Sequence, residues 1–403
     1  MRPLINQILN SIQKSHLKLQ ATLAELRQNN HDQSSYPGHT KISPQVVRRL
    51  WQSCVQIQAT QYLRYIAHPP LIEEIQTKLN STLQKAFKCY GQPTNLQADL
   101  GVPPLIYTRH KDLIRLHFRL TVSHADSLAA SLYKYRLSQT SLSIPQASHT
   151  IEHEILQSIR IVFPSWTSPD PLPQPSYLAM VQAKNKEKSF THTLKPLISD
   201  IWRSTLLLDH HYPSNSRPSA YINIAGHDLH RPDLFTPAPY LLLPSKISTT
   251  ALLRVRTQHE PAIPSHKHLH RNNNANTPHK KVYIPYPQRN CHLCNPPSTS
   301  TVDVIASEEH YIFLCPHTTS KLLPPLETAL ARHLRLLRRP PFPSLLPHEQ
   351  LSLALGGSLP RRWATNKLTR DSWLTMSTPH CALLAINLTH ALQNAPPLCY
   401  HLS

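Results

Sequence analysis

Glycine, methionine and acidic side chains are what this 403-residue chain has least of, with Gly 6, Met 3 and Asp+Glu 22. Glycine lets backbone approach a phosphate closely. The sequence has no G-x-G-x-x-G, no P-loop and no G-x-S-x-G, and the isolated "LGGS" at 355–358 reads as a turn. Glycine-cradled nucleotide sites and the serine-hydrolase elbow are thereby excluded. No apolar run reaches the ~18 residues that span a bilayer, and the longest near the end is "ALLAINL" at 382–388. The opening "MRPLINQILNSIQKSHLKLQ" lacks an apolar signal core with a small-residue cleavage site. Cys 7, an odd number thinly spread, does not make a disulfide framework. The expectation is an intracellular chain, nuclear or cytoplasmic and not secreted.

Proline and histidine are in excess, at Pro 39 and His 27. Codons rich in C and A account for both, so one histidine by itself says little. Lys+Arg 42 against Asp+Glu 22 leaves +20, a charge suited to nucleic acid or an anionic membrane. With no spanning segment, the expected partner is RNA or DNA held through its phosphates, with no membrane and no small-molecule substrate. The length is ample for a buried core.

The expected fold is mostly α. Ser43 and Pro44 read as N-cap and first residue of a helix whose Val47, Leu50, Trp51 and Cys54 share a face. A second helix after "HPP" (68–70) places Ile72, Ile75, Leu79, Leu83, Ala86, Phe87 and Tyr90 inward, and a turn around Gly91 and Pro93 ends it. In a third, at 105–120, Leu105, Ile106, Leu113, Ile114, Phe118 and Leu120 can face a core, while Lys111, Arg115 and Arg119 align at i, i+4 and i+8. That stripe is either a solvated face or a phosphate-tracking one. From about 138 to 240 proline breaks the pattern, leaving one or two short helices such as 194–208. A helix at 244–260 presents Lys246, Arg254 and Arg256, and a polar loop with His266, His268 and His270 follows. Residues 322–339 form an amphipathic helix with Leu326, Leu330, Leu334 and Leu337 opposite Arg332, Arg335 and Arg339. "PPFP" ends it, and short helices at 348–357 and 379–393 complete the tail.

Chemistry concentrates at 291–315, where Cys291, Cys294, His310 and Cys315 give C-x2-C-x15-H-x4-C. Two cysteines separated by two residues can grip one ion from a single turn, and zinc takes four tetrahedral Cys and His ligands. Cysteine is scarce, which makes the pattern specific for structural Zn2+. The bland alternative is a pair of buried thiols beside a helix. With every ligand position filled by protein, no site is left for catalytic water. "HTIEH" at 149–153 has the H-x-x-E-H arrangement of inverted zinc peptidases in His149, Glu152 and His153, a short match that this histidine content produces by chance.

"LLRVRTQHE", a basic loop, "RNCHLCNPP" and "EEHYIFLCPHT" together resemble the zinc-binding region C-terminal to the polymerase in LINE-type (non-LTR) retrotransposon reverse transcriptases. The likeness gives Cys291, Cys294, His310 and Cys315 the ligand roles, matches Pro316 to a trailing proline, and matches Arg254 and Arg256 to an arginine-bearing helix. "VRRLWQSCVQIQATQYLRY" and "NLQADLGVPPLIYTRHKDLIRLHFRL" are similar to the thumb-like helices of such enzymes. The chain departs from them in chemistry. It has no aspartate pair in a tyrosine-led turn to hold catalytic metals, and Glu327, Glu349 and Asp371, the acids after Cys315, do not make a nuclease set.

The likeness covers about residues 40–130 and 245–330, and with composition and periodicity it gives an expected helical thumb-like region at 1–137, a proline-rich irregular connection at 138–243, an arginine helix with a small CCHC zinc knuckle at 244–320, and a tail of short helices at 321–403. Because the residues for polymerase and nuclease chemistry are missing, the expectation is a non-catalytic, nucleic-acid-binding fragment resembling part of such an enzyme, not an enzyme. Lys111, Arg115, Arg119, Arg254, Arg256, Arg332, Arg335 and Arg339 are its expected phosphate contacts. The alternatives are a zinc-stapled protein-interaction module and a degenerate reading frame.

Overall fold

Helix starts set by proline recur along this chain. In the computed structural model α1 spans Arg2–Gln28, and α2 spans Pro44–Trp51, where Ser43 Oγ accepts the Val46 N–H at 3.4 Å. Residues 2–28, 42–66, 68–89, 92–123, 126–142, 150–163, 186–211, 220–231, 233–242, 249–258, 263, 269–272, 280–283, 291, 293–294, 307–360, 362–363 and 366–393 are described. A π-helical turn, Gln52–Gln56, joins α2 to α3 at Ile57–Thr60. The wider turn shifts the register. Val55 is therefore buried in the place expected of Cys54, which is exposed.

Helix α4 (Pro69–Phe87) buries its expected apolar face, and Trp51 Nε1 donates to Thr82 Oγ1 at 3.1 Å to dock α2 on it. It ends at left-handed Lys88, before Tyr90, expected on the inward face, and Gly91, both of which lie outside the described residues. After α5 (Pro93–Leu100), Gly101 turns with φ +62°, and a Cβ there would stand 2.3 Å from the Thr236 carbonyl. Only glycine fits. Helix α6 (Leu105–Phe118) buries Leu105, Leu113, Ile114 and Phe118 as expected.

The proline-rich middle is more helical than its composition suggests. α7 (Leu128–Leu142), α8 (Ile151–Val162), α9 (Lys186–His211) and α10 (Ala220–Ala225) lie there, followed by α11 (Pro239–Leu242) and α12 (Thr250–Arg256). Strands Leu269–Asn272 and Lys280–Tyr283 pair antiparallel, with His270 opposite Val282, where a loop was expected. His266, His268 and Lys246 lie outside the described residues.

The last three helices are α13 (Pro316–Leu336), α14 (Pro347–Ala354) and α15 (Lys367–Gln393). α15 replaces the short helix expected at 379–393. Prolines 196, 324, 325 and 379 sit inside α9, α13 and α15. Each leaves one carbonyl a turn earlier without its helical donor. Those carbonyls belong to His192, Ser320, Lys321 and Thr375, all exposed, so water can satisfy them and the helices continue.

Two apolar cores result. The larger joins α1 through α5 to α11 through α15 and includes Cys291 and Cys315. The second packs α6 against α7 through α10, around Trp202 and Phe118.

Candidate metal centre

The larger core closes on the cysteine cluster. Cys291 and Cys294 come from a short turn, His310 opens a π-helical turn (His310–Leu314), and Cys315 is the residue before α13. Their ligand atoms all lie within 4.8 Å of one another. Cys294 Sγ is 3.4 Å from His310 Nε2 and 3.5 Å from Cys315 Sγ. A tetrahedron with metal–sulfur bonds of ~2.3 Å has edges of ~3.8 Å, shorter where imidazole nitrogen is a ligand. The four residues can therefore hold one metal ion with little adjustment.

The cluster's own electrostatics disfavours thiolate at two of its three cysteines, a penalty that a bound cation would offset. Burial pushes the Cys291 thiol up, and burial together with the Cys315 and Cys291 sulfurs pushes Cys294 up further. At Cys315 burial again acts upward, but hydrogen bonds from Thr318 and the His317 N–H at the start of α13 outweigh it and the net shift is down. Burial lowers His310, keeping its imidazole neutral, as a ligand must be. A bound divalent ion reverses the penalty on crowded thiolates.

The centre is tied to the rest of the core by three consecutive residues at the end of α12. Arg256 Nε lies 2.9 Å from Asp99 Oδ2, its other nitrogens reach Asp228 and the carbonyls of Leu355 (3.0 Å) and Ala225 (3.4 Å), and its guanidinium lies 4.9 Å from the Tyr240 ring centre. Asp99 also accepts from Tyr221 (2.9 Å) and Tyr240 (2.8 Å). The Thr257 carbonyl accepts from Asn95 at 3.5 Å, and Gln258 Nε2 donates to buried Glu308 at 2.9 Å, two residues before His310. Burial opposes charge on Arg256, but Asp99 and Asp228 more than offset it and raise its pKa.

Arg256 therefore cannot be a phosphate contact, because it is fully buried and its donors are used internally. Arg254 is half-buried and donates to the Phe87 carbonyl at 3.5 Å. Lys111 is half-buried with Nζ 5.5 Å from the Phe235 ring centre, and burial lowers its pKa; Arg115 and Arg119 are half-buried too. Arg332 and Arg335 are exposed on α13, whereas Arg339 lies past its end and donates to the Trp363 carbonyl at 2.5 Å. Of the H-x-x-E-H match, His149 lies outside the described residues. Glu152 lies 3.5 Å from Arg136, His153 Nε2 lies 2.8 Å from Gln157 Nε2, and neither joins a metal-holding group among the described residues.

Asp99, Asp228, Glu308 and Gln258 were not singled out from the sequence. The only signal for the three acids is their scarcity in the sequence, and Gln258 carries none. No helix among the described residues is long and apolar enough to cross a membrane. No protein-family model, curated protein or solved structure matches the chain.

Proposed function

We propose that this chain is a non-catalytic nucleic-acid-binding protein in which a structural zinc ion fixes a basic helix to a helical core, in the manner that its likeness to LINE-type reverse transcriptases implies. The observation that carries the reading is the closed Cys3His group directly joined to α13, which carries exposed Arg332 and Arg335, with exposed Arg338 two residues past its end. Zinc is the ion of choice because soft thiolates with one imidazole in a closed tetrahedron suit it better than hard cations. Four protein ligands leave it no catalytic vacancy. Arg332 and Arg335 stand at i and i+3 on α13 and Arg338 follows just past its end, so two or more can reach one phosphate backbone, and the +20 total supplies long-range attraction.

Two measurements test this. Metal analysis of purified protein should find one zinc per chain, and Cys294→Ser should release it. Absence of zinc, or full retention in the variant, defeats the assignment. Binding to RNA and DNA should weaken steeply with salt, and glutamine at 332, 335 and 338 should lower the log–log slope by about 2 to 3. A flat salt response would instead favour a protein-interaction module.

A further inference from the structure

A second pair of metal-binding side chains lies between α13 and α15. The rings of His333 and His380 have centres 5.7 Å apart and planes tilted by 43°. Both nitrogens of His333 are shut off from solvent and neither has a hydrogen-bond partner. The Met376 carbonyl lies against the ring, outside ordinary hydrogen-bond geometry. Neutral imidazole carries one donor and one acceptor, so burying both unpaired is unfavourable. His380 is exposed, which opens the pair to solvent on one side.

The spacing suits a bridging ion. Imidazole nitrogen binds first-row ions at ~2.1 Å, which puts the metal ~3.2 Å from each ring centre. At a tetrahedral angle two such rings have centres ~5.3 Å apart, so the observed separation needs only a small closure. Met376 stands one helical turn before His380 on the same face of α15, a spacing from which its thioether could reach the pair. Burial, His380 and Arg332 disfavour a second proton on His333 and outweigh the Met376 carbonyl, which favours it, so the neutral ring keeps one lone pair available to a metal.

We infer that His333 and His380 form a second metal site, separate from the cysteine centre, that clips α13 to α15. Two imidazoles beside a thioether select a borderline-to-soft first-row ion, copper foremost, with water completing the shell. The site does not depend on the nucleic-acid reading. Neighbouring arginines repel a cation and keep the affinity modest.

The test is a Cu2+ titration of the zinc-loaded full chain, followed by equilibrium dialysis and by electron paramagnetic resonance for nitrogen coupling. With His 27 in the sequence, weak sites elsewhere will also fill, so the comparison with variants decides. Wild type should bind one more tightly held Cu2+ than His380→Gln or His333→Gln, with a two-nitrogen signature that both variants lose, and should gain thermal stability that they do not. Equal stoichiometry and equal spectra in wild type and His380→Gln overturn the site. His380 is exposed, so that variant should fold even if His333→Gln does not.

Discussion

Replacing Arg256 with methionine separates a buried structural cation from the phosphate contact that its sequence context suggests. Arg256, Asp99 and Asp228 have no exposed side-chain surface, and one guanidinium serves both carboxylates. Methionine of similar length would leave two acids facing each other in the core, with Tyr221, Tyr240 and the Ser358 N–H as the donors that remain to them. Breaking one buried pair costs about 3–5 kcal/mol. Here two carboxylates lose one cation and two carbonyls lose a donor, so the upper end applies, about 5 kcal/mol. Whole-domain stability is only about 5–15 kcal/mol. Arg256→Met should therefore be barely folded, with a urea midpoint, read by circular dichroism and tryptophan fluorescence, far below wild type. Adding Asp228→Asn should recover part of the loss, because it removes one of the stranded charges. If Arg256→Met keeps the wild-type midpoint and loses only nucleic-acid affinity, the buried network is wrong and the residue faces a phosphate after all.

Gly101→Ala should cost at least about 2 kcal/mol, since it combines a left-handed backbone with a Cβ pressed on the Thr236 carbonyl, and an unchanged urea midpoint would refute that packing. Burial lowers His117 to about 4, and burial with Arg109 lowers His110 to about 4; each Nδ1 has a neutral partner, Tyr133 at 2.8 Å and Ser158 at 2.9 Å. Because the unfolded chain titrates near ~6.5, it binds protons first, so stability is complete above that value and falls as pH drops toward 4. A loss of about 2 kcal/mol from each histidine by pH 5 is expected, and a urea midpoint that does not move between pH 7 and 5 would contradict it. Arg254→Gln, by contrast, should cost no more than about 1 kcal/mol, measured by the same unfolding curves, because only a long bond to the Phe87 carbonyl is lost.

Local rules made much of the helical framework readable. Ser43 with Pro44, the inward faces of α4 and α6, and the leucine face of α13 follow from caps and periodicity, which act within a few residues. The metal cluster was readable for another reason: scarce cysteine at ligand spacing is informative where abundant histidine is not. Cys54 failed because one π-helical turn moved the register, a change that no propensity signals. The proline-bearing helices failed because whether a freed carbonyl can reach water depends on which face the fold leaves outside.

Arg256 shows the deeper limit. In sequence it stands with Arg254 as one of two cations on a short helix, and a charge on a helix reads as exposed. Its fate was decided by Asp99 and Asp228, which lie 157 and 28 residues away. Once those acids pair with it, Thr257 and Gln258 fall against Asn95 and Glu308, so the same tripeptide that anchors the core also positions the segment carrying His310. The metal centre is thereby referenced to the N-terminal helices through α12, and α13 leaves from its last ligand, Cys315, at a fixed point. The direction of the exposed arginines on α13 is thus set by the buried ion network and, on the proposed reading, by an ion held at the cysteines. Removing either should leave the charge of the chain nearly unchanged while taking away the geometry with which, on the proposed reading, that charge would meet a phosphate backbone.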